Sequence, residues 1–321
     1  MDGVKIIGVG KAVPKKTLTN EEIATFVETS NQWIKERTGI EERRIAIEET
    51  TTSLAVSAAK EAIDEAKIEA ETIELVIVAT ASPDSVMPNT ACLVADALGI
   101  KNATCFDLSA ACSGFLYASE VACSMMRVGR YKRALVIGAE TLSKVVDWED
   151  RGTCILFADG AGATLYEGTN ENKVLAFKTQ SDGSGAKYLE LSASYKANRF
   201  HQEEPQHPFI VMNGQEVYKF AVTKVPQNIK ALLEETPYDV QDIDWFILHQ
   251  ANERIITSVA KKLGVAEEKF FKNIQHYGNT SAASIPIALK EAQNKLKKGD
   301  KVLLAGFGAG LTWGSMLFIV S

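Results

Sequence analysis

Short apolar runs and longer segments with helical periodicity alternate along the chain. The short runs are bounded by turn-forming residues and predict buried strands, while the longer segments between them predict helices. This alternation is typical of α/β folds with helical crossovers. The predicted strands cover residues 4–10, 75–80, 104–108, 134–138, 245–248, 270–274, 302–305 and 315–320, with one more after a glycine-rich turn at 157–165. The predicted helices cover residues 20–29, 50–67, 90–98, 112–127, 216–235, 252–263 and 281–296.

The order of these elements repeats within the chain. Three predicted strands recur at offsets of 170, 168 and 168 residues, starting near Leu75, Cys105 and Ala134 and near Trp245, Asn273 and Val302. We therefore predict two related halves, residues 1–170 and 171–321, each with a mixed, mostly parallel sheet. The segment 168–210 is polar and irregular and adds no predicted strand.

Composition narrows the class of protein. The chain has 321 residues, 46% hydrophobic and 24% charged, as in globular proteins with a large core. Its net charge of −6 argues against a general nucleic-acid binder. No apolar run approaches the roughly 20 residues of a membrane span, and the first residues do not resemble a secretory signal. We expect no nucleic-acid or membrane partner.

Five cysteines are present, an odd number, and none forms a C-x-x-C pair with histidine partners. This pattern indicates neither a disulfide framework nor a zinc site. We therefore expect no bound metal and a reducing, cytoplasmic location.

The stretch 104–117 joins a predicted strand, three small residues and the start of a helix that is nearly free of charge. Only Glu120 and Arg127 are charged in this helix, which predicts that it lies inside a large core. Cys112 stands where its first turn begins, and the free N–H groups and positive dipole end there favour thiolate over thiol. Cys112 is a candidate nucleophile, with an inert core cysteine as the alternative.

Two further polar residues follow the same logic. His249 leaves the end of the strand 245–248, and Asn279 lies in Gly278–Ser284, the segment that matches the Cys112 junction. Functional groups of α/β enzymes gather at the carboxyl ends of strands, so we expect Cys112, Asn279 and His249 to meet between the halves. Taken alone, His249 also fits a core histidine, and Asn279 also fits a helix N-cap.

The segment Gly306–Gly310 is rich in glycine and resembles a phosphate loop at first sight. It lacks G-x-G-x-x-G spacing and leads to a strand rather than a helix, so nucleotide binding is weakly supported. A strained turn that offers backbone N–H groups to an oxyanion fits better.

One face of the predicted helix 252–263 is basic, with side chains three and four positions apart. A solvated surface is the default interpretation, but on an acidic protein such a face is a candidate dock for an acidic partner. The face consists of Arg254, Ser258, Lys261 and Lys262.

The cysteine, histidine and asparagine, in that order and with the motifs around them, resemble the β-ketoacyl-acyl carrier protein synthase III family. Its members are the initiating condensing enzymes of type II fatty acid synthesis, in the thiolase superfamily. The resemblance covers essentially the whole chain and implies a thiolase-like five-layered αβαβα fold of two pseudo-repeated halves, usually as a homodimer. The motifs that carry it are Asp107–Phe115, Asp150–Thr153, Asp159–Ala163, His249–Asn252 and Tyr277–Ser284.

The resemblance also implies a reaction. An acyl-CoA primer acylates Cys112, and malonyl-acyl carrier protein then condenses with the acyl group as CO₂ leaves. His249 and Asn279 donate hydrogen bonds to the thioester carbonyl, and backbone N–H groups of Cys112 and of the turn at Gly308 and Ala309 hold the oxyanion. No metal or redox cofactor is implied, because the thioester and the departing CO₂ supply the driving force. Acyl-CoA is a substrate rather than a cofactor.

Binding positions are carried over in the same way. The family's CoA-binding positions fall on Trp33 and Arg151, which would sandwich the adenine, and on Arg37, Gly214, Ala251 and Asn252. The carrier-protein surface falls on Gln250, Ala251, Asn252, Glu253 and Arg254, with Lys261 and Lys262 nearby.

Three further positions are carried over from the family, two near the nucleophile and one expected at the partner's acyl pocket. Phe307 matches the aromatic residue that guards the cysteine, and Ala309 stands where the family often has glycine. Met87 falls where a residue, often phenylalanine, reaches into the acyl pocket of the partner subunit. Methionine adapts to shape, so we predict that primers larger than acetyl are accepted.

Alternatives stay open at the level of sequence. A degradative thiolase needs a second catalytic cysteine near the C-terminus, and no cysteine follows Cys154. A plant-type polyketide synthase or another condensing enzyme of secondary metabolism is excluded less firmly. A non-catalytic carrier-protein binder with the same fold is the alternative from a different class.

Overall fold

The computed structural model describes residues 3–192 and 208–321. The strands, in chain order, are β1 (Gly3–Ala12), β2 (Lys16–Thr19), β3 (Glu42–Ile45), β4 (Leu75–Ala79), β5 (Thr104–Leu108), β6 (Arg133–Thr141), β7 (Asp159–Thr169), β8 (Val174–Ser181), β9 (Leu189–Glu190), β10 (Val211–Met212), β11 (Trp245–Leu248), β12 (Lys301–Gly308) and β13 (Thr312–Ile319). The helices are α1 (Asn20–Ile23), α2 (Asn31–Thr38), α3 (Thr51–Ala66), α4 (Thr90–Ala97), α5 (Gly114–Arg127), α6 (Arg151–Cys154), α7 (Gly214–Leu233), α8 (Glu253–Leu263), α9 (Ile274–Tyr277) and α10 (Ser284–Ala292).

Two main sheets have the same internal order. The first runs β1-β7-β6-β4-β5, and the second runs β8-β13-β12-β11. In the first, β4 is parallel to β5 and β6, whereas β7 is antiparallel to both of its neighbours. In the second, only β11 and β12 are parallel. The prediction of mostly parallel sheets is therefore wrong, since strands joined by a turn as short as that between β12 and β13 pair antiparallel.

Two predictions in the second half are also wrong. The segment taken as irregular contains β8, a mostly half-buried edge strand in which the short apolar run Val174–Phe177 is followed by polar residues. Its residues 193–207 lie outside the described part. The predicted strand 270–274 is reduced to one bridge between Phe270 and Phe246, because the chain turns there into α9.

Three of the four apolar clusters in the described core define five layers. One cluster joins α5 and α10 to the facing sides of both sheets. A second packs α3 and α4 on the outer side of the first sheet, and the third packs α7 and α8 on the outer side of the second. The order is αβαβα, as the family resemblance implied, and α5, with few charged residues, lies in the middle layer.

The strands of the first main sheet lie within residues 3–169 and those of the second within 174–319. These limits support a division of the chain at 170/171, which stays a proposal.

The two central helices begin with matching junctions. Short 3-10 turns, Ala111–Ser113 and Ser281–Ala283, lead directly into α5 and α10. Both turns start with a residue in the left-handed region, Ala111 with φ 46° and Ser281 with φ 49°. The two junctions contact each other: a Cβ at Gly114 would lie 3.7 Å from Ala282 Cβ. The repeat therefore brings the Cys112 and Asn279 segments face to face.

Within the described ranges, every helix is too short or too polar to span a lipid bilayer.

Candidate active site

A cavity of about 1140 Å³ contains the predicted catalytic residues. Its buried part is lined by Cys112, His249, Asn279, Phe307 and Gly308. Its open end is lined by residues of α2, α6, α7 and α8. Cys112 thus shares one space between the halves with His249 and Asn279, which lie more than 130 positions further along the chain.

Cys112 lies in the turn Ala111–Ser113, just before α5 begins, and is 6% exposed. Burial raises the pKa of its thiol to about 12, although hydrogen bonding from the Ser281 hydroxyl acts in the opposite direction. Burial therefore opposes the thiolate that the helix start favours, because loss of hydration penalises the charged form. The nucleophile is stored as a thiol and must lose a proton when it reacts.

His249 follows β11 and is held there by its own backbone N–H, which donates to Ala305 O at 2.8 Å. Its Nδ1 lies 2.6 Å from Ser284 Oγ, and that oxygen also accepts from Gln250 N at 3.3 Å. The serine proton is thus available to Nδ1, which leaves the imidazole proton on Nε2. Burial lowers the pKa of His249 to about 3, so the ring is neutral.

Asn279 is oriented by the loop that carries it. Its Oδ1 accepts from Ser281 N at 2.9 Å, and its backbone pairs with Leu156 O and Ala158 N. With Oδ1 occupied by this local bond, the Nδ2 amide is the group that Asn279 offers to the cavity as a donor.

The end of β12 lies directly against the nucleophile. A Cβ on Gly308 would lie 2.6 Å from Cys112 N, so the two backbones touch. Phe307 packs edge-on against the His249 ring, with centroids 5.3 Å apart. Ala309 does not line the cavity and lies outside the left-handed region, which is occupied by Gly310 with φ 136°. An alanine therefore fits this turn.

At the open end, two arginines lie over the ring of Trp33. The guanidinium carbons of Arg37 and Arg151 lie 4.6 and 4.7 Å from its ring, and Arg151 also donates to Glu28 O. A separation of 4.7 Å leaves no room for a purine between Arg151 and Trp33. A ring held between them requires Arg151 to swing aside.

The positions predicted to contact CoA and the carrier protein are not equally accessible. Gly214, Ala251, Asn252 and Arg254 line the cavity, and Glu253 lies beside them in an ion pair with Lys272. Gln250 is 1% exposed and bonds internally to Leu248 O and Asn273 N. Its burial does not support the predicted contact with the carrier protein, because a buried and satisfied side chain is not presented at the surface.

The predicted basic face is also smaller than expected. Ser258 bonds to Tyr218 at 2.8 Å and so faces α7. Arg254, Lys261 and Lys262 are exposed, which leaves these three as the open basic residues of α8.

Several residues of the site were missed from the sequence. Lys187 and Lys219 line the open end of the cavity, and their only signal was charge, in a polar segment for Lys187 and in a predicted helix for Lys219. Ser284 belongs to the motif Tyr277–Ser284, but the sequence assigned it no role in the site. Glu140 is fully buried on β6, and a lone acid within the apolar run 134–141 was a signal available in the sequence.

Met87 is 85% exposed and does not line the cavity of its own chain. Among the described residues, no group of three histidine, cysteine or acidic side chains is placed to hold a metal ion.

The five-layered fold and a cysteine at the start of its central helix are those of condensing acyltransferases. Family profiles for 3-oxoacyl-[acyl-carrier-protein (ACP)] synthase III match residues 106–183, and those for its C-terminal part match residues 233–320. The chain belongs to the 3-oxoacyl-[acyl-carrier-protein] synthase III family.

Similar proteins agree along the full length. A β-ketoacyl-[acyl-carrier-protein] synthase III of Clostridium acetobutylicum is 49% identical over 320 residues, covering 99% of this chain and 98% of the relative. The crystal structure of the Aquifex aeolicus VF5 3-oxoacyl-[acyl-carrier-protein] synthase III has a TM-score of 0.92 and 46% identity, covering 99% and 100% of the two chains. The priming β-ketosynthase of the R1128 polyketide pathway has a TM-score of 0.93 at 33% identity, covering 99% and 96%.

Proposed function

We propose that the protein starts fatty acid synthesis by joining an acyl-CoA primer to malonyl-acyl carrier protein, with loss of CO₂. The observation that carries this proposal is the meeting of Cys112, His249 and Asn279 in one cavity of a chain that belongs to the synthase III family. The identity to the Clostridium acetobutylicum β-ketoacyl-[acyl-carrier-protein] synthase III, 49%, is higher than that to the polyketide enzyme, 33%, and favours this function over one in secondary metabolism.

In the first half-reaction, Cys112 loses its proton and its sulfur attacks the thioester carbon of acyl-CoA. The developing oxyanion lies against the backbone N–H groups of Cys112 and of the Gly308–Ala309 turn. The bond to the CoA sulfur then breaks, which leaves an acyl-enzyme. The close contact between Gly308 and Cys112 N supports this assignment, because it fixes the position of the donor.

In the second half-reaction, malonyl-acyl carrier protein occupies the space that CoA has left. His249 Nε2–H and the Asn279 amide donate to its thioester carbonyl, which stabilises the enolate formed as CO₂ departs. The enolate carbon attacks the acyl-enzyme, and Cys112 leaves as the thiolate. Two neutral donors suit this task, because the low pKa of His249 prevents the ring from simply protonating the enolate.

The open end of the cavity is proposed to bind the CoA nucleotide. Trp33, Arg37 and Arg151 offer stacking and positive charge there, and Lys187 and Lys219 add charge for phosphates. We propose that Arg254, Lys261 and Lys262 attract the acidic carrier protein to the same opening.

The remaining parts of the proposal concern the assembly and its setting. We expect a cytoplasmic homodimer in which the exposed Met87 enters the acyl pocket of the partner subunit. The chemistry requires no resident metal or redox cofactor, because thioester cleavage and the release of CO₂ supply the driving force.

Labelling with radioactive acetyl-CoA tests the proposal. We expect one acyl group per chain in the wild type and none in Cys112→Ala. Cys92→Ala is the matched control, since Cys92 is an exposed cysteine that does not line the cavity, and it should label fully. Addition of malonyl-acyl carrier protein should transfer the label to a β-ketoacyl product.

An unlabelled wild type, or label retained in Cys112→Ala, would contradict the proposal. Transfer to malonyl-CoA in preference to malonyl-acyl carrier protein would indicate instead a condensing enzyme of secondary metabolism.

A further inference from the structure

Glu140 is a buried carboxyl group beside the nucleophile for which the reaction above has no role. It lies on β6 and is 0% exposed. Burying a carboxyl group costs free energy unless hydrogen bonds replace its hydration. The bonds that Glu140 makes therefore indicate what the group is for.

The two carboxyl oxygens have different surroundings. Oε2 accepts from Thr80 Oγ1 at 3.3 Å, from Ala81 N at 3.0 Å and from Ser82 Oγ at 2.6 Å. Oε1 has no hydrogen-bond partner of normal geometry among the described residues. Buried acceptors without a partner are rare in folded proteins. Three donors on Oε2 hold the carboxyl group in place while Oε1 is left available.

Ser281 begins a turn, Ser281–Ala283, that contacts both β6, which carries Glu140, and the turn that carries Cys112. Gly138, on the same face of β6 as Glu140, packs so tightly that a Cβ there would lie 2.1 Å from Ala282 O. On the other side, Gly114 of the Cys112 junction approaches Ala282 as well. Ser281 itself is held at φ 49°, a strained conformation for a serine. Such strain is concentrated at functional sites.

The electrostatics agree with this placement. Hydrogen bonding from the Ser281 hydroxyl lowers the pKa of the Cys112 thiol and also that of the Glu140 carboxyl. The charge of Glu140 acts in turn on Cys112 and raises the pKa of its thiol. The Ser281 hydroxyl thus interacts with both the Cys112 thiol, which must lose a proton, and the Glu140 carboxylate, which can accept one.

Acyl transfer needs such an acceptor, because the resting thiol has a pKa of about 12. His249 is poorly suited, since its Nδ1 is bonded to Ser284 and burial lowers its pKa to about 3. Burial instead raises the pKa of Glu140, which makes its carboxylate a stronger base.

We propose that Glu140 accepts the Cys112 proton through the Ser281 hydroxyl during acyl transfer. The thiol proton passes to Ser281 Oγ as the hydroxyl proton passes to Glu140 Oε1, and the sulfur electron pair forms the bond to the acyl carbon. When the bond to CoA breaks, the proton returns by the same route to the departing CoA thiolate. No other reactant is needed. The inference rests on the proposed function and assigns the base for its first half-reaction.

Glu140→Gln tests the inference with little change in shape. The amide oxygen can accept the three bonds of Oε2, and the NH₂ group takes the place of the unpartnered Oε1. We expect acylation by acetyl-CoA to slow about 10²-fold at neutral pH, as is typical when a general base is lost. The defect should shrink as pH rises, because the thiol then ionises without a base. Intact-mass measurement of single-turnover acylation from about pH 6 to 10 records both effects.

Two further variants separate proton transfer from a structural role. Ser281→Ala removes the relay and should reproduce the loss and its pH dependence, even if Glu140→Gln fails to fold. Ser82→Ala removes a bond to Glu140 but leaves the carboxylate, and it should keep the wild-type pH profile.

Equal rates and pH profiles in the wild type and both Glu140→Gln and Ser281→Ala would overturn the inference. So would a Ser82→Ala variant that shows the same pH-dependent loss. Failure of the proposed function is recognised separately, because the wild type itself would then form no acyl-enzyme.

Discussion

At the scale of single residues, burial has opposite effects on two groups that react together. It raises the pKa of Cys112 to about 12 and lowers that of His249 to about 3. The charged form is the one that burial disfavours in each case. Both groups are therefore neutral at rest, and the site contains a thiol and an imidazole rather than an ion pair.

This neutral pair predicts that the two half-reactions respond differently to His249→Ala. The variant should form the acyl-enzyme from acetyl-CoA at nearly the wild-type rate, because His249 is not the base for Cys112. Condensation should fall about 10²- to 10³-fold, as expected when one donor to a developing oxyanion is removed. Intact mass measures the first step, and the yield of β-ketoacyl product measures the second.

Cys112→Ala is the control for that experiment, since it should abolish both steps. An equal loss of acylation and condensation in His249→Ala would show that the histidine also deprotonates the thiol, and it would remove the need for Glu140 as the base.

At the scale of elements, the position of the nucleophile depends on two junctions and one strand end. The turns Ala111–Ser113 and Ser281–Ala283 start α5 and α10 and contact each other. The end of β12 closes the site from the third side, where Gly308 meets the backbone of Cys112. Only glycine allows two backbones to approach so closely.

This contact predicts a large effect of one added methyl group. In Gly308→Ala the new Cβ would lie 2.6 Å from Cys112 N and 3.2 Å from Cys112 Cβ, so the backbone donor must move. We expect acylation to fall about 10²-fold, the usual cost of losing one oxyanion donor. Single-turnover acylation, with circular dichroism to verify folding, measures the change.

Gly183→Ala is the matched control, because a Cβ there meets nothing within 4 Å. It should acylate as the wild type does. A Gly308→Ala variant that acylates equally fast would show that this backbone contact does not set the oxyanion site.

At the scale of the whole molecule, charge and surface exposure indicate the partners. The chain has a net charge of −6, yet the charged residues that line the cavity are all basic: Arg37, Arg151, Lys187, Lys219 and Arg254. A positive opening on an acidic protein attracts anionic substrates and leaves the rest of the surface repulsive to them. Both proposed substrates carry such negative charge.

Assembly into a dimer predicts the size of the primer. If Met87 enters the partner's acyl pocket, its flexible side chain should leave room for a branched acyl group. The ratio of kcat/KM for acetyl-CoA and isobutyryl-CoA measures this preference. An acetyl preference above about tenfold, about 1.4 kcal/mol in transition-state binding, would contradict the prediction.

Met87→Phe provides the comparison for that measurement, since a rigid ring in the same place should shift the ratio toward acetyl-CoA. A ratio unchanged by the substitution would indicate that residue 87 does not form the pocket wall.

Local patterns in the sequence were enough for two related α/β halves, the buried helix α5 and the three candidates Cys112, His249 and Asn279, whereas the αβαβα layers were implied by the family resemblance. Apolar runs and helical periodicity report directly on which faces are buried, and the repeat fixed which segments correspond. Strand pairing was less predictable: β8 is an edge strand with mixed exposure, and Phe270 retains only one bridge. Pairing depends on partners that are distant in the sequence.

Only the tertiary structure decided the state of the site. The helix start suggested a thiolate at Cys112, but the protonation of a group depends on everything packed around it, and here burial prevails. The same packing buried Gln250 and brought Glu140 and Ser281 to the thiol. The sequence by itself determined which groups can react, because chemistry belongs to residue types. Their ionisation and their proton acceptors were decided by distances between residues far apart in the chain.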